Sequence, residues 1–150
     1  MALFEGQERV HIAAPAEKLY AMVSDVSRMG EWSPECYRCE WVDGSEAKVG
    51  ARFKGHNKRG WMKWSNSPRV TAAEPGREFA FLTYHGSKEA TQWRYTFTPS
   101  GDGTDVTESY QVLDYPWYLR ILNPAPKRAQ EVQAGMRTSL DRLKAAAEAD

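Results

Sequence analysis

A glutamate stands in a row of apolar side chains. In Val106-Thr107-Glu108-Ser109-Tyr110-Gln111-Val112 the alternation places Val106, Glu108, Tyr110 and Val112 on one face of a strand and Thr107, Ser109 and Gln111 on the other. A carboxyl group among apolar neighbours has its charged form disfavoured, so its pKa rises toward the range useful for general acid and base work. Glu108 could then take a proton α to a ketone, assist loss of water, or simply anchor a ligand hydroxyl or amine. An ordinary ion pair with an arginine at the rim of the sheet is the competing reading.

Asn57 and Asn66 are the next polar candidates, able to donate to and accept from a ligand carbonyl; capping a turn or a bulge is their other use. His85 stands near a strand end as either a base or an exposed, inert side chain. No two of the three histidines have ligand spacing, so no metal is expected, and no cofactor: phosphate loop, dinucleotide fingerprint and Ser-His-Asp signature are all missing. Cys36 and Cys39 form a lone Cys-x-x-Cys on a strand. Residues three apart on a strand point to opposite faces, so the pair reads as structural thiols, not a chelate or a redox turn.

These residues need a sheet to hold them, and alternation is persistent from Tyr37 to Val112. Tyr37, Cys39 and Trp41 share a face; Ala51, Phe53, Gly55 and Asn57 oppose a basic row of Arg52, Lys54, His56 and Lys58 that suits a solvated outer face. Met62, Trp64, Asn66 and Val70 share parity in a strand that Pro68 should bulge or push to an edge. Phe79, Phe81 and Thr83 follow, then Trp93, Tyr95 and Phe97, then the strand of Glu108. With a first strand over about Phe4–Ala13, this makes seven strands joined by short turns, an antiparallel meander.

Two short helices come between the first and second strands. Pro15 suits a first helical turn ahead of Leu19, Tyr20, Met22 and Val23, and a second turn carries Val26, Met29 and Trp32 before Ser33-Pro34 ends it. Near the C-terminus, Ala129, Val132, Met136, Leu140, Leu143 and Ala147 recur at steps of three and four, giving Lys127–Glu148 one apolar helical face for the sheet to enclose. Gly135 and Ser139 make that stripe small in its middle, which leaves close packing or room for a guest. Between sheet and helix, Tyr115, Trp117, Tyr118, Leu119, Ile121 and Leu122 lie among Pro116, Pro124 and Pro126, as a buried segment, a dimer contact or a flap, and the helix that follows reads as a movable wall hinged at Pro124 and Pro126.

At 150 residues a single domain over 1–150 is the expectation. Twenty basic and twenty acidic residues cancel, which leaves no electrostatic footprint for nucleic acid. Nothing resembles a secretory leader, and no apolar run approaches the roughly 20 residues that span a bilayer, so a cytoplasmic protein without integral membrane association is expected.

In this order, the first strand ending in Ala13-Ala14-Pro15-Ala16-Glu17, Val23-Ser24-Asp25, Trp32-Ser33-Pro34, Val49-Gly50-Ala51-Arg52-Phe53, Glu74-Pro75-Gly76-Arg77, Trp93-Arg94-Tyr95, Gly103-Thr104-Asp105-Val106-Thr107 and the closing Leu140-Asp141-Arg142-Leu143-Lys144 resemble the START-like, helix-grip superfamily, in its polyketide cyclase/dehydrase branch. The resemblance implies an α+β helix-grip fold: a seven-stranded curved antiparallel sheet around a long C-terminal helix, with a cavity between them for a lipid, sterol, polyketide or other hydrophobic small molecule. It implies no single chemistry, because that superfamily holds carriers, cyclases, aromatases and regulators.

Parity and the helical stripe together nominate Trp32, Phe53, Asn57, Trp64, Asn66, Phe79, Phe81, Thr83, Trp93, Tyr95, Tyr110, Trp117, Met136 and Leu140 as ligand contacts, with Glu108 as the catalytic candidate. Dense core packing selects the same side chains. Three functions follow: binding of a hydrophobic or amphipathic molecule; a polyketide cyclase, aromatase or dehydratase using Glu108 as general acid/base; and an interaction module that homodimerises through Tyr115–Leu122.

Overall fold

The computed structural model describes residues 2–44 and 46–149. It opens with β1 (Phe4–Ile12), whose even-numbered side chains are the more buried, and α1 (Ala16–Ser24), N-capped by Pro15 and buried through Leu19, Tyr20, Met22 and Val23. A 3-10 turn (Val26–Arg28) and the single-turn helix α2 (Met29–Trp32) then bury Val26 and Trp32. The chain continues through β2 (Cys36–Asp43), β3 (Arg52–Arg59), β4 (Met62–Asn66), β5 (Arg69–Glu74), β6 (Glu78–His85), β7 (Lys88–Ser100) and β8 (Gly103–Val112). It closes with α3 (Trp117–Leu122) and α4 (Ala125–Glu148).

All pairings are antiparallel, in the order β1-β8-β7-β6-β5-β3-β2, with β4 on β3. The strand expected to run from Met62 to Val70 is two strands, which raises the count from seven to eight. Pro68 has no N–H to give a ladder and cuts the run. β4 then pairs only with the Gly55–Arg59 part of β3, while β5 meets β3 at Arg52↔Arg69 and pairs with β6 as far as Leu82. Thr83–His85 of β6 are left without a neighbour on that side, and the sheet splays open between β4 and β6.

Two further departures come from bulges. The register shifts between Cys36 and Arg38, and this turns both Cys36 and Cys39 inward where even alternation would separate them. Tyr37, expected to share a face with Cys39, is exposed while Cys39 is buried, with the Lys58 ammonium 5.2 Å from the Tyr37 ring centre.

α4 lies in the grip of the sheet with Val132, Met136, Ser139, Leu140, Leu143 and Ala147 buried, and it also covers the edge strand β1. The Gln133 amide donates to the Gln7 carbonyl (2.7 Å), the Arg137 guanidinium to Arg9 (3.2 Å) and the Lys144 ammonium to His11 (2.8 Å). Four helical residues rise about 6 Å and two strand residues about 6.8 Å, so the first two straps keep step. They satisfy carbonyls that an edge strand would otherwise leave open. These bonds fasten the helix to β1 from Gln133 to Lys144.

The core is uneven. Ile12, Leu19, Val26, Phe79, Phe97, Val106, Leu140 and Leu143 fill the end under α1 and the second half of α4. A smaller cluster of Tyr110, Val112, Tyr115, Val132 and Met136 stands at the other end, and between the two the interior is hollow.

Candidate functional site

The hollow is a cavity of about 520 Å³ between the concave sheet face, α3 and the first half of α4. Small-molecule sites range over roughly 300–1,000 Å³, so it is of ligand size. β3 contributes Phe53 and Asn57, β4 Trp64 and Asn66, β6 Phe81 and Thr83, β7 Trp93 and Tyr95, and β8 Glu108 and Tyr110. Met136, Gly135 and Ser139 of α4 form the facing wall. Strand parity collects these side chains, because alternate residues of neighbouring strands share one concave surface.

Glu108 is 5% exposed and lines this cavity. The Tyr95 hydroxyl donates to its Oε2 at 2.9 Å, and Oε1 has no partner among the described residues. Burial holds the carboxyl pKa up to about 8, and the Tyr95 bond offsets only part of that rise. Near neutral pH the group is mostly protonated, and with Oε2 accepting from Tyr95 the proton on Oε1 is free to be donated. The Asn57 amide nitrogen is a second buried donor without a partner. Asn66 reaches over β3 because Gly55 opposite has no side chain: a Cβ there would lie 2.9 Å from its Oδ1.

The cavity rim carries charge. Arg128 grips Glu35 with two bonds, of 2.7 and 3.0 Å, and Arg59 donates to Glu131 at 3.0 Å. Asn123, at the C-terminus of α3, donates to the same Glu131 at 2.9 Å. This ring ties the end of β3 and the approach to β2 to α3 and α4. His85 also reaches the rim and bonds Asp114 at 3.0 Å, holding the Asp114 carboxyl below its ordinary range. Cys36 lines the cavity; a hydrogen bond with Cys39 pulls its thiol below the ordinary range and pushes Cys39 up. Among the described residues no three His, Cys, Asp or Glu side chains converge as a metal site.

Of the residues nominated from the sequence, Phe53, Asn57, Trp64, Asn66, Phe81, Thr83, Trp93, Tyr95, Glu108, Tyr110 and Met136 line the cavity together. Trp32, Phe79 and Leu140 belong to the dense core instead. Trp117 faces solvent, because α3 is a helix that turns Leu119 toward the cavity and Trp117 and Ile121 away from it. Sequence reasoning missed Glu35, Arg59, Arg128 and Glu131. A signal existed at Arg128: a cation in the first turn opposes the helix dipole and asks for a carboxylate partner.

Among curated proteins none matches the chain significantly. Among solved structures, a Polyketide_cyc-like protein from Corynebacterium glutamicum is 30% identical, with 95% of this chain and 90% of that chain covered and a TM-score of 0.63. A protein from Chromobacterium violaceum is 19% identical over 97% of this chain and 99% of that chain, with a TM-score of 0.74. The di-domain ARO/CYC StfQ from the steffimycin biosynthetic pathway is 17% identical over 96% of this chain and 50% of that chain, with a TM-score of 0.78. The last two likenesses speak for the fold alone. The family model described as polyketide cyclase / dehydrase and lipid transport matches residues 4–148, from the start of β1 to the end of α4, and the chain therefore belongs to that family.

Proposed function

We propose that the protein binds a largely apolar small molecule with one hydrogen-bonding oxygen, enclosed between the sheet and α4 with that oxygen against Glu108. The observation that carries this reading is Glu108 Oε1, buried without a partner on the wall of a cavity of about 520 Å³. An unsatisfied buried polar atom costs about 1–3 kcal/mol, and a ligand carbonyl or ether would relieve that cost while the aromatic wall takes the rest of the molecule.

Prodan, an apolar fluorescent ketone, tests this. Saturable binding with blue-shifted emission is expected, weakened roughly tenfold or less by Glu108→Leu, in line with the loss of one hydrogen bond. Absence of saturable binding to the folded protein would sink the proposal.

A second reading is cyclase or dehydratase chemistry. Its specific support is the Glu108 pKa of about 8, which leaves both protonation states populated near neutral pH, so one carboxyl could take a proton α to a ketone and return it to a departing hydroxyl. Asn57 would hold the ketone oxygen. On this reading Glu108→Gln abolishes turnover of a poly-β-ketone substrate while prodan binding stays within a few-fold; turnover that survives the change rules Glu108 out as the acid/base.

A further inference from the structure

We propose that the end of the molecule formed by the β3–β4 turn and α3 is a docking surface for an anionic lipid bilayer. The β3–β4 turn is a two-residue loop, Gly60-Trp61, between the paired Arg59 and Met62, with Gly60 at φ +61° in its first position. That geometry demands the glycine and nothing of the next residue, yet the next residue is a tryptophan 91% exposed. On α3, Trp117 and Leu122 are each 72% exposed and Ile121 71%. Large apolar side chains gathered on one surface mark a contact site, and tryptophan in particular favours the headgroup layer of a bilayer, where its ring is solvated on one side only.

The two elements stand at the same end. Met62, beside Trp61, and Leu122 both line the cavity rim, while Arg59 of β3 and Asn123 after α3 share Glu131 as their acceptor.

Charge decides the partner. The chain as a whole is neutral, but the acidic groups at this rim are occupied: Glu35 and Glu131 by Arg59 and Arg128, and Asp114 by Lys88 and His85. Lys58, Lys63, Arg120 and Lys127 form no salt bridge among the described residues; Lys127 attracts Glu131 only from beyond bonding distance, and Arg59 and Arg128 already hold that carboxylate. A collar of uncompensated cations around exposed aromatic tips complements an anionic leaflet. It opposes a second copy, since a two-fold contact through this patch would set the same cations against one another.

The test is co-sedimentation of the intact protein with vesicles of phosphatidylcholine mixed with phosphatidylglycerol, against pure phosphatidylcholine, at low and high salt. The expected result is binding to the mixed vesicles that weakens with salt and is slight on the neutral ones. Trp61→Ala and Ile121→Ala each lower partitioning roughly tenfold, and Lys58→Gln and Lys127→Gln about fivefold each, all with melting curves like that of the unaltered protein. Prodan binding without vesicles is unchanged in Trp61→Ala, so failure of docking and failure of the cavity reading are separate results. Docking is overturned if the folded protein ignores mixed vesicles, or if the Trp61→Ala, Ile121→Ala double variant binds them as well as the original. It is equally overturned if the protein is a dimer at micromolar concentration that this double variant dissociates, which would assign the surface to a second copy.

Discussion

Glu108 keeps its proton in the folded chain up to about pH 8, whereas in the unfolded chain the carboxyl ionises near 4.5. Between those two values the native state holds a proton that the unfolded state has lost. Stability therefore falls as pH rises through this window and levels off above it. The fall expected from this one group is on the order of a few kcal/mol, reduced by any water the cavity admits. Glu108→Gln should flatten it, and urea unfolding across the window is the measurement; an unchanged slope would place the source in other groups. The position of Glu108 was legible in the sequence because Val106 and Tyr110 set the parity of its strand. Its hydrogen bond from Tyr95 was not, since the register that sets Tyr95 opposite Glu108 is a property of the paired strands.

At the scale of elements, α4 shows how a local irregularity acquires a meaning. Gly135 stands mid-helix on the cavity wall, and an added Cβ would meet only the Pro34 Cγ at 3.5 Å, an ordinary contact. Close packing is therefore not the reason for the glycine; room in the cavity is the remaining one. Gly135→Ala should stabilise the protein by up to about 1 kcal/mol through helix propensity, read as a shift of the urea midpoint without a change of slope. Two charges that oppose the dipole of α4 have partners: Arg128 is held by Glu35, and Glu148 accepts from the Ala13 N–H at 2.9 Å and from Lys144 at 2.7 Å. The helix stripe could be read in advance, being local, and so could an irregularity at Pro68, though a bulge or edge was expected there and the strand instead breaks in two. The bulge at Cys36 and the outward turn of Trp117 could not: one depends on pairing with β3, the other on how α3 sits against the rim.

Seen whole, the molecule is a sheet gripping a helix, packed solid at one end and hollow at the other. Leu140 belongs to the solid end and is fully buried. Leu140→Ala should cost about 2–5 kcal/mol, measured by urea unfolding, because the surrounding strands close only partly over the space left behind. A much smaller loss would mean that this end is as yielding as the cavity. Opening and rim share the hollow end, since the splay between β4 and β6, α3 and the Glu35–Arg128 pair all surround the same space. No helix among the described residues is long and apolar enough to cross a membrane.

By itself the sequence determined the alternation of the strands, the stripe of the last helix and the presence of one carboxyl on the inner face, because each depends on backbone periodicity and a few neighbours. Phe53 and Phe79 look alike at that level: both are aromatic and inward. Only the tertiary structure decided that Phe53 borders a cavity and Phe79 is sealed in the core, because empty volume depends on how far the curved sheet stands from the helix, a distance set by contacts among residues far apart in the chain. The ring of Glu35, Arg59, Arg128 and Glu131 was decided there too, by bringing together side chains that no local spacing relates.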